Sequence, residues 1–184
     1  MLLCRQASFV NRSALRAVEF AKRWHGDCEH HLTMCIELDA LVDQKNRALK
    51  PDVLSTLQKL EEAHHNIVLV SSIPKPDTVA LMADLKLHHL HTRTVSSTCI
   101  PVKIPNPGIL IYAIETLAGG EISNSISVGC SADNVRMAKA AGVPVINILC
   151  DDVTNSFSAT ADLRIDSFDQ VLTGLETLKE SSTY

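Results

Sequence analysis

Cys130 stands where chemistry is most readily built. Residues 125–149, SISVGCSADNVRMAKAAGVPVINIL, read as strand, turn, helix, turn, strand. Ser125 to Val128 suits a buried strand and Gly129 to Asp133 a tight turn. Asn134 to Ala141 suits a short helix with Val135, Ala138 and Ala141 on one face. A cysteine in such a turn faces the N-terminus of the following helix, where a thiolate is stabilised. No histidine lies close in sequence to serve as its base, so a structural cysteine is the favoured reading. The histidine pairs 30/31, 64/65 and 88/89, with His91, fall at the ends of predicted elements. They lack an H-E-x-x-H or C-x-x-C context, so a metal site is not favoured there.

The elements around this stretch must carry it to a sheet edge. Gly142 sits where a helix C-cap wants a left-handed residue. Val143 to Leu149 is a continuous apolar run, as a strand covered on both faces requires. Strand, crossover helix and strand make a right-handed parallel unit, whose first turn opens at the carboxyl edge where such folds place ligands. Further strands are predicted at Leu32 to Leu38, Ile67 to Val70, a short segment between Arg93 and Val102, and Asp162 to Ile165. A helix opens at Pro51 with Val53, Leu54, Leu57 and Leu60 on one face. A second runs from an Asp77 N-cap through Leu87, with Val79, Met82 and Leu85 inward. A third follows Pro105 to Pro107, buries Leu110, Ala113, Ile114 and Leu117, and stops at Gly119-Gly120. The last spans Phe168 to Lys179. This alternation predicts a doubly wound, Rossmann-like three-layer α/β domain with a mainly parallel sheet of about five strands.

The chain has 184 residues, enough for one domain with a full core. It is 46% apolar but only 4% aromatic, so the core is predicted to be aliphatic. A net charge of −4 argues against general nucleic-acid binding. No apolar run has the length of a membrane helix. Six cysteines without paired spacing indicate neither a disulfide framework nor a structural zinc site. Residues 1–28 form a basic extension: Arg5, Arg12, Arg16, Lys22 and Arg23 face one acid, Glu19, up to Trp24. That pattern resembles a mitochondrial targeting segment, which would place the protein on the matrix side, with the cytoplasm as the alternative. Residues 29–184 then form the α/β domain.

From Gly129 to Gly142 the chain resembles the last motif of the haloacid dehalogenase (HAD) superfamily of phosphatases and phosphotransferases, G-D-x-x-x-D before an A-K-x-A-G helix. Read in order, Leu32 to Lys179 resembles a HAD domain throughout. The first motif, D-x-D-G-T, aligns with Glu37-Leu38-Asp39-Ala40-Leu41. The resemblance implies a nucleophilic aspartate at position 37 and an acid–base aspartate at position 39. Glu37 is longer by one methylene, and Asp39 is intact. The second motif, a hydroxyl residue that bonds a phosphoryl oxygen, falls on Ser71. The third, a charge-balancing lysine in K-P-x-P, is matched by Lys103-Ile104-Pro105-Asn106-Pro107, with Lys103 one residue early and Ile104 in its slot. The fourth supplies acidic Mg²⁺ ligands. Here its first aspartate is Cys130, a poor partner for a hard cation, while the later one aligns with Asn134, and Asp133 is one place short. The spacings between motifs leave no space for a cap domain.

Three functions follow as expectations. The first is a HAD scaffold with an inactive site, kept as a structural or assembly subunit of a larger mitochondrial complex such as the mitochondrial ribosome or a respiratory assembly. Its partners would be other protein subunits, and it would need no cofactor. The second is a divergent Mg²⁺-dependent phosphatase acting on an exposed or macromolecular phosphate ester, with Glu37 or Asp39 as the nucleophile. The third is a non-catalytic phospholigand module using Ser71, Lys103 and the helix N-terminus at Asp133.

Overall fold

The computed structural model describes residues 31–90, 92–149 and 160–181. The basic extension, the polar loop after Cys150 and the last three residues lie outside them. Six parallel strands form one sheet in the order β5-β4-β1-β6-β7-β8. They are β1 (Thr33–Glu37), β4 (Asn66–Ser71), β5 (Arg93–Ser96), β6 (Ser125–Gly129), β7 (Val145–Ile148) and β8 (Leu163–Ile165). The expected α/β sheet is present, with six strands where about five were predicted. A two-stranded antiparallel hairpin, β2 (Val42–Asp43) and β3 (Ala48–Leu49), follows a single helical turn, α1 (Leu38–Leu41), at the end of β1.

Alternation along the strands divides the core in two. Met34, Ile36, Ile67 and Leu69 point to one face, Cys35, Val68 and Val70 to the other. The first face is covered by α2 (Val53–Glu62) and α6 (Val171–Ser181), through Val53, Leu57, Leu60, Val171 and Leu175. Leu81 and Met82 of α3 (Lys75–Asp84) pack against the same cluster. The second face is covered by α4 (Gly108–Ile111) with the π-helical turn that continues it (Tyr112–Leu117), and by α5 (Ala132–Ala141). Among the described residues no helix is long and apolar enough to cross a membrane.

Two helices are rotated from their predicted faces. Leu54 is 43% exposed and Val79 58% exposed. In α2 the buried stripe is Val53, Thr56, Leu57 and Leu60; in α3 it runs through Thr78, Leu81, Met82 and Leu85, with Thr78 wholly buried. Both have the i, i+3, i+4, i+7 spacing, and in both a threonine holds a slot that an apolar count gives to a neighbour. The Thr78 hydroxyl donates within its own turn, lying 3.0 Å from Pro74 O, which makes it tolerable in the core. Helix α3 also starts two residues before the predicted cap, with Asp77 inside its first turn.

The predicted stop at Gly142 is present. Gly142 caps α5 at φ 71°, and its N–H reaches Lys139 O at 3.1 Å. Gly142→Ala forces a side chain into left-handed backbone and is expected to cost about 1 kcal/mol, read as a lower urea midpoint with unchanged m-value.

Candidate active site

The carboxyl ends of β1, β4 and β6 bring three of the four motif-like segments to one edge of the sheet. At the end of β1, Glu37 and Asp39 are both half-buried but face different partners. Glu37 crosses to the neighbouring strand. Its Oε2 accepts from the backbone N–H of Cys130 at 2.8 Å and of Ser131 at 3.0 Å, and its Oε1 accepts from Ser131 Oγ at 2.5 Å. The methylene that glutamate has over aspartate gives it this reach across adjacent strands, about 4.8 Å apart. The recipient is the first turn of α5, where backbone donors and the helix dipole favour an anion. Ser131 is the N-cap, its Oγ accepting from Asn134 N at 3.0 Å. One serine therefore closes the helix and binds the carboxylate.

Asp39 stays free of that clamp. Its Oδ2 accepts from Ser72 Oγ at 3.3 Å and its Oδ1 from Gln44 Nε2 at 3.4 Å, both long, weak bonds. Lys50 Nζ donates to Ala40 O at 3.0 Å, which sets an ammonium against the loop that carries Asp39. Ser71, the motif-equivalent hydroxyl, is 4% exposed, and its Oγ lies 3.0 Å from Thr78 Oγ1 and 3.4 Å from Ile73 N. It is Ser72 that meets Asp39. Lys103 is exposed, and Ile104, in the lysine slot, packs against the second core cluster. No described hydrogen bond joins Lys103 to Glu37 or Asp39. Asp133 is half-exposed and paired with Arg136 at 2.9 Å. Cys130 is half-buried beside the first core cluster.

Asn134 is 2% exposed. Its Oδ1 accepts from Ser127 Oγ at 2.9 Å, and Nδ2 is buried without a partner among the described residues. A Cβ built on Gly129 would fall 2.4 Å from Asn134 Nδ2 and 2.6 Å from Glu37 Oε2, so both atoms converge over this glycine.

This donor set does not fit Mg²⁺, the cation the resemblance implies for active members. Magnesium requires oxygen acceptors in octahedral array. The β6–α5 turn instead presents two backbone N–H groups, a hydroxyl donor and an amide NH₂, with a soft thiol in place of the first carboxylate. Among the described residues no three His, Cys, Asp or Glu side chains come together as a metal site.

Gln44, Lys50, Ser72 and Ser131 were not singled out from the sequence. Ser72 carried a signal, since it follows Ser71 at the end of a predicted strand. Ser131 carried another, as an N-cap residue in the turn before the helix. Gln44 and Lys50 carried none.

Cys99 lies at the same edge, beyond β5. Burial raises its pKa, but the Ser96 hydroxyl at 3.2 Å, the Ser96 N–H at 3.4 Å and the Lys75 charge outweigh this and hold it below the ordinary thiol value. Burial pushes Cys35 up to about 12. Iodoacetamide at neutral pH is therefore expected to label Cys99 and spare Cys35, with Cys99 labelling persisting as pH falls below the usual thiol range. Peptide mass spectrometry reads this, and labelling of Cys35 before Cys99 would refute it.

Residues 14–148 match the family described as haloacid dehalogenase-like hydrolase. The phosphoglycolate phosphatase of Pseudomonas syringae pv. syringae (strain B728a) is 31% identical over 96 residues, which cover 52% of this chain and 35% of that protein. The chain thus spans about a third of that relative's length. Among solved structures, the HAD phosphatase from Thermococcus onnurineus superposes with a TM-score of 0.61 at 25% identity, covering 69% of this chain and 58% of that one. CbbY from Rhodobacter sphaeroides in complex with phosphate gives a TM-score of 0.62 at 21% identity, covering 70% of this chain and 59% of that one, a likeness of fold. The first two of these carry phosphatase names. They overturn the expectation of an inactive scaffold kept as a structural subunit of a mitochondrial assembly; drift at Glu37 and Cys130 is not by itself loss of function, because a half-exposed carboxylate remains at the edge where the family works. With the family match running unbroken from before β1 through β7, this chain belongs to the haloacid dehalogenase-like hydrolases.

Proposed function

We propose that this chain hydrolyses phosphate monoesters, with Asp39 as the acid–base group. The supporting observation is the division of labour between the two carboxylates of β1: Glu37 is committed to three donors of the β6–α5 turn, while Asp39 is half-exposed and held only by long bonds from Ser72 and Gln44. A carboxylate saturated by charge-assisted hydrogen bonds is a poor nucleophile. Asp39 retains the role that the resemblance gives to its position.

In the reaction, Asp39 accepts a proton from water as the water oxygen bonds to phosphorus. The ester P–O bond breaks on the opposite side of phosphorus, where a water at the open edge gives a proton to the leaving alkoxide, and Asp39 releases its own proton to solvent. Water and ester become alcohol and inorganic phosphate, and Asp39 returns to its starting state. Ser72 and Gln44 orient the carboxylate, and Lys50 adds positive charge against its loop.

Between β1 and β4 stand only α1, the β2–β3 hairpin and α2, and among the described residues no cap domain intervenes before β6 either. The open edge suits an exposed or macromolecular phosphate ester. Phosphoglycolate, the substrate in the names of the relatives, is the first small ester to compare.

The test is phosphate release by the purified full chain from p-nitrophenyl phosphate, 2-phosphoglycolate and a phosphorylated peptide, with Mg²⁺ and with EDTA. Turnover above the buffer rate is expected, without accumulation of an acid-stable phosphoenzyme. No turnover on any substrate in either condition overturns the reading.

A further inference from the structure

Four hydrogen-bond donors meet over Gly129: Cys130 N–H, Ser131 N–H, Ser131 Oγ and Asn134 Nδ2. The first three hold the Glu37 carboxylate. The fourth is buried without a partner among the described residues and lies, like Glu37 Oε2, within 2.6 Å of where a Gly129 Cβ would stand. We propose that this turn is an oxyanion site for phosphate-class anions, and that Glu37 is its tethered occupant, displaced when such an anion enters. The inference concerns binding alone and stands whether or not the chain turns over an ester.

Three observations carry it. The donors sit at the N-terminus of a ten-residue helix, α5, where the dipole adds to the backbone N–H groups. The planar Glu37 carboxylate turns Oε2 to the two backbone N–H groups and Oε1 to Ser131, and neither oxygen makes a hydrogen bond with Asn134 Nδ2. A tetrahedral oxyanion brings a third free oxygen, and with it an acceptor for Asn134 Nδ2. The missing Cβ of Gly129 lets Asn134 Nδ2 and Glu37 Oε2 approach this point, and the space Oε2 fills is released when Glu37 turns out.

The amide orientation is fixed by Ser127, whose hydroxyl donates to Asn134 Oδ1 and so turns Nδ2 toward the site. The opposite orientation would bring an amide oxygen against the Glu37 carboxylate. Glu37 is half-exposed, so its side chain can turn out toward the cleft without crossing the core. Of the acids nearby, Asp133 in the first turn of α5 is paired with Arg136, and Asp39 is engaged by Ser72 and Gln44.

Inorganic phosphate and MgCl₂ are titrated separately into the full chain and into Glu37→Ala, by calorimetry and by the amide resonances of Cys130 and Ser131. A tethered competitor reduces apparent affinity by the fraction of molecules with the site open. Glu37→Ala is therefore expected to bind phosphate about tenfold or more tightly than the parent. The shifts should centre on Cys130 and Ser131, and adding Ser131→Ala should cancel the gain. Glu37→Gln, close to the parent in shape, gives a smaller gain and replaces the alanine variant if that fails to fold. Equal or weaker phosphate binding in whichever variant folds overturns the proposal, as does Mg²⁺ moving the Cys130 and Ser131 resonances of the parent.

Discussion

Asp39→Asn is expected to lower kcat/KM for phosphate monoesters by about 10²- to 10⁴-fold, the usual contribution of a positioned acid–base group. The amide has the shape of the carboxylate, and its oxygen still accepts from Ser72, so orientation survives while the basic group is lost. The bonds to Ser72 and Gln44 are 3.3 and 3.4 Å long and exposed, so the thermal midpoint should change little. A fall in rate with an unchanged midpoint separates lost chemistry from lost folding. Glu37→Gln is the matched control. It weakens the clamp on the β6–α5 turn, so it should lower the midpoint and reduce the rate less than Asp39→Asn does. If Asp39→Asn keeps parental turnover while Glu37→Gln abolishes it, the reacting carboxylate is Glu37, and the assignment made here is wrong.

Gly129→Ala is expected to be the most damaging single methyl group that can be added at this edge. The new Cβ would lie 2.4 Å from Asn134 Nδ2, 2.6 Å from Asn134 Cγ and 2.6 Å from Glu37 Oε2. None of these neighbours retreats without giving up hydrogen bonds. Asn134 is in the first turn of α5 and tied to Ser127, and Glu37 is held by Cys130 and Ser131. Overpacking of a tight site costs about 1 to 3 kcal/mol, and expelling a carboxylate from charge-assisted bonds adds about 1.5 to 3 kcal/mol. Together these are a large part of the roughly 5 to 15 kcal/mol that holds a domain folded. For a chain of this size the midpoint should fall by about 2 to 4 °C for each kcal/mol lost, so a drop of about 10 °C by calorimetry is expected. A midpoint within about 2 °C of the parent would show that the turn is looser than these distances describe.

The backbone plan was legible because its causes are short-ranged. Apolar runs without alternation marked strands buried on both faces, and β4 and β7 lie where those runs stand. Gly142 marked the end of α5 because only its backbone conformation was needed, a property of one residue. The helix faces were less legible. Thr56 and Thr78 are polar by type yet buried, Thr78 with its hydroxyl donating to Pro74 O in its own turn, and counting apolar residues turned α2 and α3 toward Leu54 and Val79.

Sequence alone determined that two carboxylates end the first strand, that a cysteine replaces an acid in the turn before α5, and that a parallel sheet carries both to one edge. The tertiary structure decided what those residues touch. Glu37 and Ser131 are 94 positions apart, Asp39 and Ser72 are 33 apart, and each pair meets because adjacent parallel strands end in register. Which of two neighbouring serines reaches a carboxylate, or whether one methylene lets a glutamate cross to the next strand, depends on ångström-scale distances between segments. Residue type and spacing do not encode those distances, because they are set only when the whole sheet packs.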